Sequence, residues 1–142
     1  MASMISAKDV LDLNERFYRA LEQNDLTAME AIWSHDDHVR CVHPGWAMLV
    51  GWEEVRKSWR DIFETDTTMK FVITDISSFS DGNLAWVTCT ENITTISEAE
   101  MGVAAAQSTN IFRRIDGQWK MVIHHASPVP TTVIDHEDSR IA

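Results

Sequence analysis

The chain has 142 residues, a formal net charge of −10, and a composition that is 44% hydrophobic and 24% charged. That length suits one domain with a core large enough to fold unaided, and the negative charge argues against nucleic acid, whose phosphates need a basic face. No apolar run in the sequence approaches the roughly 18 residues of a membrane-spanning helix.

The N-terminal segment MASMISAKDVLDLNERF turns amphipathic and acidic at once, unlike a secretory signal, so the expectation is a cytoplasmic protein with no membrane partner. Ser6 followed by Asp9 suggests an approximate capping box, after which Val10, Leu13, Phe17 and Leu21 recur at helical spacing. This helix should end near Gln23-Asn24. Asp25 is a plausible N-cap for a shorter helix with Leu26, Met29, Ile32 and Trp33 on one face. A polar corner, Ser34-His35-Asp36-Asp37-His38, precedes a short strand over Val39 to Val42. Gly51 should open a third helix whose stripe is Trp52, Val55, Trp59, Ile62 and Phe63.

After Thr65-Asp66-Thr67 the apolar period changes from 3.6 to 2. Four β-rich segments follow, Met69–Phe79, Leu84–Ile96, Val103–Ile115 and Gln118–Ser127, and Asp116-Gly117 is a strong two-residue hairpin signal. Pro128 and Pro130 should end the sheet, leaving 131–142 as a loose or partner-docked tail beyond a single domain of residues 1–130. Three helices before four long antiparallel strands describe an α+β fold with helices on one face of a sheet. Strands of ten or more residues must curl strongly. A curled sheet closed by helices forms a cone with an interior. Cys41 and Cys89 read as two buried free thiols.

This element order, carrying "HPGW", "LVGWEEVRKSW" and "RRIDGQWKMVIHHAS", resembles the SnoaL-like branch of the nuclear transport factor 2-like superfamily over about Lys8 to Ser127. The resemblance implies a cone-shaped, cystatin-like α+β barrel, its helices on the concave face of an antiparallel sheet. It also implies a deep pocket between sheet and helices, and a homodimer through the open sheet face. The superfamily includes ketosteroid isomerases, polyketide cyclases, dehydratases and kinase association domains, so fold alone does not give function.

His43 precedes Pro44, which holds it extended at a strand end. In the ketosteroid isomerases the matching residue is the aspartate general base, and an imidazole could move a proton at neutral pH. The competing reading is a histidine that orients the loop to Trp46. The isomerases' oxyanion-stabilising tyrosine falls at Phe17, which cannot donate a hydrogen bond. Tyr18, the one tyrosine, lies about 100° around the helix. A copied steroid-isomerase mechanism is therefore set aside.

Trp33, Trp46 and Trp59 fall on elements that surround the interior in the family, with Val55 and Phe63 of the third helix beside them. Trp86 and Trp119 read as core packing. On the last strand only one of His124 and His125 can enter the pocket. The kinase association domains place pocket arginines where Asn110 and Ala126 stand here, a parity that favours His124. Losing both cations suggests a neutral pocket in which Asn110 meets a carbonyl or hydroxyl. The "HDDH" run at 35–38 matches no familiar metal loop, so neither metal nor cofactor is expected.

Two readings result. One is an acid/base enzyme of isomerase, cyclase or dehydratase type, with His43 acting on a small, neutral, apolar carbonyl or hydroxyl compound. The other is a non-catalytic dimeric ligand-binding or assembly module of the same fold. The sequence offers a good base and only a weak charge stabiliser for it.

Overall fold

A computed structural model describes residues 2–130, with side chains from Ala7 onward. The expected tail at 131–142 lies outside the described residues. Helix α1 (Ala2–Gln23) begins before Ser6, so the expected helix start there is corrected: Ser6 sits inside the helix. The buried face of α1 is a broad arc of Val10, Leu13, Asn14, Phe17, Tyr18 and Leu21, wide enough to carry both Phe17 and Tyr18 inward. Asn24 ends α1 in the left-handed region at φ 52°. The Asp25 carboxylate then accepts the Ala28 amide hydrogen at 3.0 Å and caps α2 (Leu26–Ile32).

Strand β1 (Arg40–Val42) and the two-residue β2 (Leu49–Val50) frame the HPGW segment. That segment is a tight turn: the His43 carbonyl accepts the Trp46 amide at 2.8 Å, with Pro44 and a Gly45 at φ 83° in the middle. Proline followed by a positive-φ glycine is what a type II turn requires. Gly51, at φ 87°, then caps α3 (Trp52–Phe63), whose first turn carries Glu53 and Glu54 and whose last carries Arg60, complementing the helix dipole.

Strands β3 (Thr68–Asp81), β4 (Leu84–Ile96), β5 (Met101–Ile115) and β6 (Gln118–Val129) complete a six-stranded sheet in the order β2-β1-β6-β5-β4-β3. The β5–β6 turn has positive φ at both Asp116 and Gly117, the two-residue hairpin form expected. Two differences from the sequence reading stand out. The sheet is mixed, because β1 runs parallel to β6; and Pro128 does not end β6 but pairs with Ala106 within it. Strand β1 covers β6 only at Ile123, His124 and His125, so around Pro128 the strand is an edge, where a missing amide hydrogen is tolerated.

Register shifts at Thr74/Ser77 and beside Val122 bend the long strands. The sheet therefore curls around α1 and α3, and one buried cluster fills the concave side, centred on Phe17, Trp33, Trp59, Phe112 and Met121. At the free edge of the sheet, Glu22 of α1 accepts the Phe71 amide at 2.8 Å and satisfies an otherwise open donor of β3. Among the described residues no helix is long and apolar enough to cross a membrane.

Candidate functional site

Strand parity builds the interior. Val39, Cys41 and His43 share the inward face of the β1 segment and all are buried, which turns the His43 ring into the cone. On α3, Val55, Ser58 and Trp59 are spaced i, i+3, i+4 and meet it there. From the far side β5 sends in Ser108, Asn110 and Phe112, and β6 sends in His124 and Ala126. His125 points the other way and lies exposed on the outer sheet face, where it lines an open groove of about 820 Å³ with Thr90, Gln107, Ile111 and Ile123. Its inclusion among pocket residues is corrected by the alternation of β6; His124 is the inward member.

The His43 ring packs edge-on against Trp59 at 4.6 Å between centroids and against Trp46 at 4.7 Å. Trp59 is 1% exposed and is flanked by Phe17 and Phe63, whereas Trp46 is 47% exposed and covers His43 from the rim. Trp33 is buried in the next layer, between Trp52 and Trp59. Trp119 is buried as expected, but Trp86 is not core. It faces outward on β4, against its cross-strand partner Phe79.

Hydrogen bonds fix both imidazoles. Ser58 donates its hydroxyl hydrogen back to the Val55 carbonyl at 2.7 Å, so its oxygen is left to accept from His43 Nε2 at 2.9 Å. His43 is thereby the Nε2–H tautomer, and its Nδ1 is the acceptor, facing the Cys41 thiol at 3.9 Å. Burial lowers its pKa to about 4, so the ring is neutral at pH 7.

His124 has the opposite tautomer. Asn110 donates through its amide nitrogen to Asn14 Oδ1 at 2.8 Å and to the Tyr18 hydroxyl oxygen at 3.2 Å, so its own carbonyl oxygen accepts from His124 Nδ1 at 2.6 Å. Nε2 is the remaining acceptor. Burial holds the His124 pKa well below the ordinary imidazole value, with a further push from nearby His43, 6.4 Å away between ring centroids.

The network continues to residues the sequence reading missed. Tyr18 donates to Glu91 at 2.6 Å, and both groups are pushed toward their protonated forms, chiefly by burial. Tyr18 and Asn14 also form the floor of an open cleft of about 800 Å³ between α1 and β3, walled by Leu11, Phe71, Ile73 and Ile76. The signals were present in outline: Glu91 continues the inward alternation of Ala85, Val87 and Cys89, and Ser58 adjoins Trp59 on the buried stripe of α3. In the HDDH corner, Asp36 accepts from the Ser34 hydroxyl at 2.6 Å and from the His38 amide at 2.8 Å; these contacts, the Ser34 bond foremost, lower its pKa. His35 hydrogen-bonds the Glu30 carbonyl and stacks on Trp52.

The interior thus presents two neutral imidazoles packed among aromatic rings, His43 held by Ser58 and His124 held by Asn110. Such a group can accept a proton, donate it again, or hold a polar ligand.

Comparison with known proteins follows the same lines. Residues 10–132 match the profile of the SnoaL-like domain. A candidate dehydratase of the nuclear transport factor 2-like family from Streptomyces avermitilis superposes with a TM-score of 0.82 at 34% identity, covering 89% of this chain and 98% of that one. A candidate calcium/calmodulin-dependent protein kinase type II association domain from Thiobacillus denitrificans gives 0.68 at 33%, covering 83% and 93%. The F-box protein SKIP8 of Arabidopsis thaliana is 27% identical over 124 residues, 86% of this chain and 50% of that protein, so the chain spans about half the length of this curated relative.

Proposed function

The chain belongs to the SnoaL-like domain family, and from that premise we propose that it binds a small, neutral, largely apolar carbonyl or hydroxyl compound and moves a proton on it, with His43 as acceptor. The observation that carries this reading is the single held tautomer of a buried imidazole. Ser58 fixes Nε2, which leaves Nδ1 as the basic atom in a water-poor aromatic surround. A pKa of about 4 keeps that nitrogen unprotonated at neutral pH and makes its conjugate acid a strong proton donor. Across the cone His124 keeps Nε2 as an acceptor, while both ends of the Asn110 amide are engaged by Asn14, Tyr18 and His124. Proton transfer of this kind, in an isomerisation, cyclisation or dehydration, calls for no cofactor. The similarity to a candidate dehydratase supports the same class of chemistry.

A second reading, a non-catalytic dimeric binding or assembly module, is favoured by the filling of the cone with Phe17, Trp33 and Trp59. The large apolar residues left on or beside the outer face, Met48, Phe79 and Trp86 among them, also favour it. Similarity to a kinase association domain supports this side. In both readings the outer sheet face joins two copies, and only monomer in sedimentation at micromolar concentration would contradict that. The deciding experiment is thermal shift and tryptophan fluorescence against neutral carbonyl and hydroxyl compounds, followed by turnover assays on each hit with wild type and His43→Gln. Turnover lost in the variant with binding retained supports the enzyme. Binding without turnover in either protein supports the module.

A further inference from the structure

The cleft of about 800 Å³ between α1 and the free-edge strand β3 lies apart from His43 and opens to solvent. One wall is a single stripe of α1, on which Leu11, Glu15, Tyr18 and Glu22 recur at i, i+4, i+7 and i+11. The other is the inward alternation of β3, Phe71 and Ile73, continued after the bulge by Ile76. Leu11 is 37% exposed and Ile76 51%, so the two walls leave facing apolar surface in water. The floor is already held: Asn110 donates to Asn14 and to Tyr18, and Tyr18 donates to Glu91. A prefixed floor needs little further ordering when a ligand arrives.

Charge around this cleft is uneven. Three carboxylates, Asp12, Glu15 and Glu22, line it together with one guanidinium, Arg19. Asp12 pairs with Lys8, and Glu15 with Arg19, each across one exposed helical turn. Glu22 differs from both. It is half-buried, its Oε2 accepts the Phe71 amide hydrogen at 2.8 Å, and among the described residues no cation lies within ion-pairing distance of it. That backbone contact fixes a carboxylate at the edge of the cleft, next to the Phe71 and Tyr18 rings, whose centroids are 5.6 Å apart.

We propose that this cleft is a second ligand site, one that takes an apolar primary amine, with the hydrocarbon body between α1 and β3 and the ammonium on Glu22. The volume is that of a small-molecule site. Walls of Leu11, Phe71, Ile73 and Ile76 favour a hydrocarbon frame, since its burial removes apolar area from water. Glu22 keeps its second carboxylate oxygen for a charged N–H donor. A carboxylate ligand meets three like charges against one cation. A neutral alcohol gains the walls but not the ion pair. The site is separate from the interior of the cone and does not rest on the proton-transfer reading.

Tyr18 is the chain's one tyrosine, so tyrosine labelled with 13C in the ring gives a single reporter on the cleft floor. The full chain labelled in this way is titrated at pH 7 with 2-phenylethylammonium, 2-phenylethanol and 3-phenylpropanoate, which share one apolar frame. The ammonium should shift the Tyr18 resonance saturably and bind about tenfold tighter than the alcohol, the effect of one charge-assisted hydrogen bond. The carboxylate should bind weakest. Glu22→Gln retains an oxygen for the Phe71 amide and removes the charge, so the amine should fall to the affinity of the alcohol. Leu11→Lys, at an exposed wall position, sets a fixed cation in the cleft and should abolish amine binding, which keeps the test in force should Glu22→Gln not fold. Alcohol or carboxylate binding as tightly as the amine, a preference that survives Glu22→Gln, amine binding that survives Leu11→Lys, or a Tyr18 resonance that none of the three compounds moves overturns the assignment. Each of these outcomes leaves the reading of His43 where it stood.

Discussion

Replacing His43 by glutamine tests whether a neutral imidazole is built into the fold. Glutamine keeps an amide N–H for Ser58 and removes the titration, along with ring contacts to Trp46 and Trp59 that do not vary with pH. In the folded chain the His43 pKa is about 4, and burial is the cause; in the unfolded chain it returns to about 6.5. Between those values the unfolded state binds a proton that the native state refuses. The stability owed to His43 is therefore complete above pH 6.5 and is lost as pH falls through about 4. Linkage over the interval from pH 7 to pH 4.5 gives a loss of about 2 kcal/mol from this one group. His124 acts in the same direction, and Glu91, whose pKa is raised, acts in the opposite one. Both remain in the variant, so Glu91 cancels in the difference and His124 cancels apart from the push it receives from His43. Urea denaturation followed by tryptophan fluorescence, repeated at each pH, yields wild-type minus His43→Gln stability. The account predicts that this difference shrinks by about 2 kcal/mol on acidification. A difference that stays flat would refute the claim that His43 is buried and neutral.

Ser58→Ala leaves the His43 Nε2–H with only the weak Cys41 sulfur at 3.7 Å and should destabilise by about 1–3 kcal/mol in chemical denaturation. Glu91→Gln removes a carboxyl whose folded pKa is raised by burial. Its stabilising contribution is present below the unfolded value and is lost as pH rises through the folded one, so wild type should fall relative to Glu91→Gln as pH rises above the ordinary carboxylate range in the same assay. Asp25→Ala takes away the cap on α2 and should cost about 1 kcal/mol, read from the urea midpoint.

Periodicity carried most of the fold. The change of apolar spacing after Thr67 separates helices from strands, and Asp25, Gly51 and Asp116-Gly117 mark boundaries that the structure keeps. What escaped is non-local. Strand β2 is two residues long and exists because Arg40 and Cys41 pair with Val50 and Leu49. The parallel pairing of β1 with β6 joins segments some eighty residues apart, and no local pattern encodes it. Pro128 misled because its effect depends on whether a neighbour lies alongside β6 there, which is a property of the sheet and not of the residue.

The site was legible where parity operates on one strand, as at Asn110 and His124. Tyr18 was set aside by counting degrees from Phe17, yet the sheet wraps α1 broadly enough to bury both. Its partner Glu91 was hidden because an acidic residue in a strand reads as solvent-facing until the alternation of Ala85, Val87 and Cys89 is followed one step further. Charge state was also out of reach of the sequence. It depends on how completely Trp46, Trp59 and Phe17 shield the two imidazoles.

The most direct test of the account is long-range 1H–15N NMR of the histidine rings from pH 7 down to pH 4.5. Neutral rings at pH 6, with His43 carrying its proton on Nε2 and His124 on Nδ1, are the predicted result. Protonated rings at that pH, or the reverse tautomers, would contradict the hydrogen-bond assignments on which the proton-acceptor role stands.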